Sequence, residues 1–241
     1  MFDSRPQHFL GRRAFLMGAA VLTAGTVAHS AFAAEDGRAI PAPATDLPAS
    51  AAPSEVMVVA GGCFWGVQGV FQHTTGVIQA VSGYAGGLKK DADYHTVGGG
   101  GTGHAESVEI TYDPSKITYG KLLQIFFAVA HNPTQLNRQG PDDGPQYRSA
   151  IFPRDDAQAT VAAAYIAQLN QAHVFPSPIV TKIQPKKEFY RAEAYHQDYM
   201  TLNPRHPYIA FNDLAKIGEL KKYFPDAYRA KPVLVNAKAD G

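Results

Sequence analysis

The hydrophobic period changes several times along this chain. Val56-Met57-Val58-Val59-Ala60 is a continuous, largely β-branched run that stops at Gly61-Gly62, which predicts a short strand buried on both faces. From there Phe64, Val67, Val70 and Phe71 recur at helical spacing, so Cys63 falls where a strand turns into a helix. A second strand is predicted from Val77 to Tyr84, closed by Gly86-Gly87, and residues 88–103 form a glycine-rich, exposed or flexible loop. Residues 104–112 alternate: Glu106, Val108, Ile110 and Tyr112 point one way, and Ser107, Glu109 and Thr111 the other. Asp113-Pro114 ends that strand, and Leu122, Leu123, Phe126, Phe127 and Ala130 mark an amphipathic helix. Residues 131–147 carry prolines and glycines without periodicity, a candidate functional loop. Further on, the pattern predicts a strand over 148–152, a helix over 155–172 with Val161, Tyr165, Ile166 and Leu169 inward, and a strand over 179–183. Short helical pieces follow around 190–200 and 210–223. Strands alternating with helices, without internal repeats, predict an α+β fold: a two-layer, ferredoxin-like α/β sandwich with a mixed sheet and a long irregular C-terminal segment.

The ends read differently. Arg12-Arg13 precedes Phe15-Leu16, an uncharged stretch runs from Met17 to Ala28, and Ala31-Phe32-Ala33 offers a cleavage site. Residues 1–33 are therefore expected to be a cleaved signal peptide resembling the twin-arginine type, which implies a periplasmic or secreted protein. The stretch is too short and too rich in Gly, Ala and Thr to span ~20 residues of hydrocarbon, so no stable membrane insertion is expected after cleavage. Residues 34–54, rich in Pro and Ala and without apolar periodicity, are expected to be a flexible linker. The folded domain is expected over 55–230, with a flexible tail over 231–241.

Composition narrows the chemistry. Hydrophobic residues make up 45% of the 241, enough for a packed core, and the formal net charge is only +1. That balance leaves no electrostatic footprint for nucleic acid and no polybasic membrane patch. The glycines from 98 to 103 lack the Lys-Ser/Thr ending of a phosphate loop. Cys63 is the only cysteine. In an exported chain, where cysteines usually pair, a lone thiol is either buried or reactive.

A thiol in the first turn of a helix feels the partial positive charge of unpaired backbone N–H groups, which favours thiolate. Gly61-Gly62 would permit a tight turn and close approach by a substrate, and Phe64-Trp65 an aromatic wall; a plain core cysteine needs none of these. Glu106 shares its strand face with Val108 and Ile110. On a buried face its pKa would rise and it could donate a proton at neutral pH. At the strand's end it would instead reach water, and the pattern alone leaves both readings open.

The wider motif set is similar to that of the A-type peptide methionine sulfoxide reductases. Gly62-Cys63-Phe64-Trp65-Gly66 is followed in order by Gly83-Tyr84-Ala85-Gly86-Gly87, Tyr94 with Val97, Thr102-Gly103-His104-Ala105-Glu106, and Tyr112-Asp113-Pro114. Then come Asn137-Arg138-Gln139-Gly140, Asp142, Gly144, Gln146-Tyr147-Arg148-Ser149 and Tyr195-His196-Gln197-Asp198-Tyr199. The likeness covers roughly 55–225. It implies that Cys63 attacks the sulfoxide sulfur while Glu106 protonates or polarises the oxygen. It also implies that Tyr94 and Tyr147 hydrogen-bond that oxygen, that Asp142 organises the pocket, and that Phe64 and Trp65 hold the S-methyl group and select the S epimer. The product on the enzyme would be a Cys63 sulfenic acid.

Two departures from the family pattern stand out. No second cysteine follows near the C-terminus, so the resemblance is to monothiol members, which need an external thiol: a thioredoxin-like protein, a glutaredoxin or a small thiol. His131-Asn132-Pro133 replaces the usual His-Asp-Pro. No bound cofactor and no metal are expected, since no histidine pair has helical ligand spacing and His104 reads as structural. Tyr195 and Tyr199 read as packing residues at a pocket rim. The expected partners are oxidised methionine, free or in proteins, and the thiol reductant, with the chain a monomer. Competing readings are a peroxide-reactive thiol sensor and a non-catalytic methionine-peptide binding module.

Overall fold

The run at Val56 becomes β1 (Glu55–Ala60), the central element of a computed structural model that describes Met1, residues 37–185 and residues 187–235. The expected leader after Met1 and residues 236–241 of the expected tail lie outside the described residues. Met57 and Val59 face one side of β1 and Val58 and Ala60 the other, and all four are at most 1% exposed, as expected for a strand covered on both faces. From β1 the chain passes through α1 (Phe64–Gln72) into β2 (Val77–Ala85), and after a glycine-rich loop into β3 (Ala105–Tyr112). β3 pairs antiparallel with both, aligning Val59 with Val108 and Tyr84 with Glu106.

β6 (Ala150–Ile151) joins β1 on its other edge. β7 (Lys182–Ile183) runs parallel to β6, and β8 (Phe189–Arg191) pairs antiparallel with β2. The sheet order is β7-β6-β1-β3-β2-β8, mixed as expected, in an α+β sandwich. Val108, Ile110 and Tyr112 of β3 meet Phe64, Val67 and Phe71 of α1 in the main core. α3 (Tyr119–Ile125), a π-helical turn over Phe126–Ala130 and α4 (Asp156–Gln171) complete it. Each buried aromatic removes ~150–250 Å² from water, so this layer carries most of the hydrophobic stabilisation.

Several expected elements differ in extent. The strands over 148–152 and 179–183 shrink to the two-residue β6 and β7. Residues 189–191 are strand rather than helix, because β2 offers them an open edge. The loop 88–103 is partly ordered: Asp93 caps α2 (Tyr94–Gly98) by accepting from Thr96 N–H at 3.1 Å, and Val97 is buried. The unperiodic loop 131–147 contains a small hairpin of β4 (Arg138–Gln139) and β5 (Asp142–Asp143). α5 (Tyr199–Leu202), α6 (Pro207–Asn212) and α7 (Leu214–Tyr223) form the irregular C-terminal part.

The segment expected as a flexible linker is, from residue 37 on, a strap. Arg38 N–H donates to Ala128 O at 3.0 Å, and Gln124 Nε2 donates to Ile40 O at 2.8 Å. Tyr165 Oη donates to Pro41 O at 2.7 Å, and Ala44 N–H donates to Gln168 Oε1 at 2.8 Å. Ile40 is buried in the core, and Asp46 accepts from Gly120 N–H at 2.7 Å at the N-terminus of α3, where a carboxylate complements the helix dipole. The expected tail is likewise anchored up to residue 235: Val233 N–H donates to Gln72 O at 3.0 Å, and Val235 N–H donates to Asp198 Oδ1 at 2.9 Å. Proline and alanine hid the strap, because hydrogen bonds from domain side chains and backbone, with only Ile40 and Leu47 reaching the core, hold it in place without an apolar stripe.

Candidate active site

Cys63 is the N-cap residue of α1, with φ −53° and ψ 124°. The turn that delivers it rests on two side chains from the 131–147 loop. A Cβ on Gly61 would lie 2.9 Å from His131 Cγ, and one on Gly62, whose φ is +89°, would lie 2.4 Å from Gln139 Cγ. The glycines thus make room for the protein's own supports beneath the turn, more than for the approach of a substrate. His131 is itself fixed: its Nδ1 is 3.1 Å from Phe126 O, and its Nε2 is 2.7 Å from Ser149 Oγ. Burial holds it neutral, its pKa lowered to about 3. Gln139 bonds Asn132 with both ends of its amide, at 2.8 and 3.0 Å.

The expectation that the helix start makes Cys63 a ready thiolate is corrected by its surroundings. Burial pushes the thiol well above its ordinary value, and the nearby carboxyls of Glu106 and Asp213 push it further. The Trp65 N–H acts in the opposite direction but is outweighed. Desolvation and like charge are worth more here than one turn of helix dipole.

Glu106 lies on the floor of the cavity, 3% exposed, and its Oε2 accepts from Phe64 N–H at 3.0 Å. Of the two readings left open by the sequence, the buried one holds. Burial raises its pKa to about 8, with the charge on Asp142 adding to the shift and the Phe64 N–H opposing it, so the side chain is a neutral acid at pH 7.

Tyr94 opens α2, and its backbone N–H donates to Glu193 Oε1 at 2.9 Å. The other oxygen of Glu193 accepts from Tyr84 Oη at 2.8 Å, which ties α2 to the sheet. Tyr147 ends a 3₁₀ turn over Pro145–Tyr147, and Asp142 stands on β5. Burial and then Glu106 raise the pKa values of both phenols, so they remain donors. Asp142 accepts from Tyr208 Oη and is raised chiefly by burial.

Phe64 is 1% exposed, and Trp65 is clamped. The indole stacks on Tyr199 at 3.9 Å and 14°, donates through Nε1 to His196 Nδ1 at 3.2 Å, and meets the edge of Tyr208 at 5.9 Å and 84°. Cys63, Glu106, Tyr94, Tyr147, Asp142, Phe64 and Trp65 all line one cavity of about 250 Å³, so every residue singled out from the sequence converges there.

His206 and Tyr208 line it too, and His196 and the buried Asp213, paired with Lys216 at 3.0 Å, stand behind its walls. Sequence reasoning gave none of the four a role, although His196 falls within the Tyr195–Tyr199 motif. The signal that could have found two of them is Pro207, which starts α6 directly after His206 and one residue before Tyr208. Tyr199 packs on Trp65, and the exposed Tyr195 meets the ring of His196 at a tilt, 4.2 Å and 46°. His104 is bound to the backbone, accepting from Gly87 N–H at Nδ1 (3.2 Å) and lying 3.0 Å from Leu88 O at Nε2, as expected of a structural histidine. Among the described residues no group of three or more His, Cys, Asp or Glu is placed to hold a metal ion. The arrangement is that of a thiol facing a buried neutral acid, with phenol donors above and an apolar slot beside it.

A family model described as peptide methionine sulfoxide reductase matches residues 55–228, which leaves the strap outside the matched span. The peptide methionine sulfoxide reductase MsrA 2 of Mesorhizobium japonicum is 66% identical over 182 residues, covering 76% of this chain and 93% of that protein. Its namesake in Synechocystis is 47% identical over 197 residues, covering 80% and 92%. Among solved structures, Mxr1 from Saccharomyces cerevisiae in reduced form has a TM-score of 0.60 at 34% identity, over 66% of this chain and 91% of that one. Methionine sulfoxide reductase A of Corynebacterium diphtheriae gives 0.55 at 32% identity, over 72% and 89%.

Proposed function

The chain belongs to the peptide methionine sulfoxide reductase family and is an oxidoreductase that reduces methionine sulfoxide, and from that premise we propose how its residues carry the reaction. Cys63 is the nucleophile and Glu106 the acid. The sulfoxide oxygen lies between Glu106, Tyr94 and Tyr147, with Asp142 holding Tyr208 and ordering the polar wall. The S-methyl group enters the slot formed by Phe64 and Trp65. The convergence of these seven residues on one cavity is the observation that carries the reading.

The chemistry follows from the charges. A sulfoxide oxygen leaves poorly unless protonated, and a neutral Glu106 supplies that proton; positioned acids of this kind contribute ~10²–10⁴-fold. The thiol sulfur bonds to the substrate sulfur as the S–O bond breaks, and the protons of the thiol and of Glu106 leave with the oxygen as water. Water then bonds to Cys63 Sγ as the S–S bond breaks, R₂S departs, and the proton released re-protonates Glu106. Net, R₂S=O and Cys63–SH become R₂S and Cys63–SOH. Polarisation of the bound sulfoxide places positive charge beside Sγ, which offsets the burial that disfavours thiolate in the empty site. The S epimer is preferred because inverting the sulfur would exchange oxygen and methyl. The polar oxygen would then enter the aromatic slot without a partner, at a cost of roughly 1–3 kcal/mol.

With one cysteine in the sequence, the sulfenic acid is returned to thiol by an external thiol, a thioredoxin-like or glutaredoxin-like protein or a small molecule. Residues 1–33 serve export, a reading supported by their basic, apolar and Ala-x-Ala pattern. The test is incubation with methionine S-sulfoxide and dithiothreitol: methionine is released by the wild type and not by Cys63→Ser. Full turnover by Cys63→Ser would overturn the mechanism. A mature mass beginning near Ala34 in the exported fraction checks the leader, and an uncleaved cytoplasmic chain would refute it.

A further inference from the structure

The scheme above leaves Cys63 as a sulfenic acid, and a second half-reaction must bring an outside thiol to it. Resting on that reading, we propose that His206 is the acid–base group of this second half-reaction, taking the proton of the incoming thiol at the mouth of the cavity.

His206 lines the same cavity as Cys63 but is exposed, whereas Glu106 on the floor is 3% exposed. It immediately precedes Pro207 at the start of α6, and its side chain does not cap that helix, which leaves the imidazole turned to other use. The ring stands edge-on to Trp65, 6.2 Å between centroids at 76°, and to Tyr199, 5.7 Å at 75°. Those contacts fix it on the solvent side of the aromatic wall, where a thiol too large to enter the cavity would arrive.

The step needs two proton-handling groups in the cavity that holds Cys63 Sγ, one buried and one exposed. The reductant sulfur bonds to Sγ as the Sγ–O bond breaks. Glu106, on the floor, gives its proton to the departing oxygen, which leaves as water. His206, at the mouth, takes the proton of the reductant S–H and returns it through solvent as Glu106 is re-protonated. Net, R–SH and Cys63–SOH become Cys63–S–S–R and H₂O, and a second thiol group of the reductant then releases Cys63–SH and carries away the disulfide. Two electrons come from the thiols, so no other reductant enters.

The other groups lining the cavity are already committed. Tyr94 and Tyr147 are phenols whose burial makes them hold their protons more tightly. Asp142 accepts from Tyr208, and Glu106 serves the leaving oxygen. His206 is the one imidazole on the cavity wall among the described residues. Neutral thiols are only a few per cent thiolate at pH 7, so a base placed at the mouth addresses the slow part of the exchange.

Rapid-mixing kinetics separate the two halves: methionine release after mixing with methionine S-sulfoxide, then loss of the dimedone-reactive sulfenic acid on adding dithiothreitol. For His206→Ala the expected result is one methionine released per chain, with sulfenic acid reduction slowed by about 10²-fold relative to that release. Added imidazole restores part of the second phase. His206→Phe, which keeps a ring against Trp65 but carries no proton, gives the same slow second phase. Recycling at the wild-type rate, or equal slowing of both phases, overturns the proposal. A wild type that released no methionine in the first phase would instead overturn the mechanism on which the proposal rests.

Discussion

Glu106→Gln separates the two things a buried acid can do. The amide has the same shape, its oxygen can still accept from Phe64 N–H, and its NH₂ can still point at the sulfoxide oxygen. It cannot transfer a proton. With a pKa of about 8, wild-type Glu106 is roughly nine-tenths protonated at pH 7, so nearly every molecule holds the proton that the variant lacks. The expected loss in the single-turnover rate is ~10²–10⁴-fold, or ~3–5 kcal/mol of barrier.

The pH profile sharpens the test. Between pH 6 and 9.5 the wild-type methionine-releasing step slows as pH rises through about 8 and Glu106 ionises, and the variant loses that limb. Wild-type stability falls with rising pH as well. The folded pKa lies above the unfolded value of 4.5, so the folded state binds this proton more tightly. The stability linked to it is fully present below about 4.5 and is lost progressively until the pH passes about 8. Ionisation of the buried group then costs ~4–5 kcal/mol. Gln carries no such cost, so Glu106→Gln melts higher than wild type at pH 9 while reacting far more slowly. A variant within threefold of the wild-type rate, or one that keeps the alkaline limb, would refute the assignment.

Gly62→Ala is expected to destabilise by roughly 2 kcal/mol or more, because φ +89° strains an L residue and the new methyl strikes Gln139. Gly140→Ala, at φ +54° with nothing within 4 Å, pays only the backbone strain, and equal thermal shifts for the two variants would refute the support role of Gln139. Asp46→Ala removes the strap's carboxylate from the start of α3, at about 1 kcal/mol, which is ~2–4 °C of melting temperature for a domain of this size. A melting temperature unchanged within 1 °C would show the strap to be energetically idle at that point.

Elements with their own periodicity were legible in the sequence: β1 from a continuous β-branched run, β3 from alternation, α1 and α4 from helical spacing. What escaped depends on partners. β8 is strand because β2 presents an open edge, and residues 37–47 are ordered because Tyr165, Gln168 and Gln124 reach out to their backbone. At the site, the burial of Glu106 was half-visible in its strand face, whereas the thiol's upward shift was not. It arises first from burial, which no local pattern measures, and then from Glu106 and from Asp213, which lies 150 residues along the chain from Cys63. His206 and Tyr208 were missed for a related reason: two short helices, each set by a turn, leave almost no period to read.

The π-helical turn over Phe126–Ala130 holds one residue more than an α-helix would in the same span. It ends at His131, the side chain beneath Gly61, and its Ala128 carbonyl is taken by the strap. Deleting a single residue there would restore a regular helix and, by local propensity, look like an improvement. Winding the same residues as α-helix with none removed would instead rotate everything after them by about 100°, carrying His131 out from under the turn that presents Cys63. The sulfur of Cys63 is thus held in place by an irregularity, and a redesign that tidied this helix would unseat it.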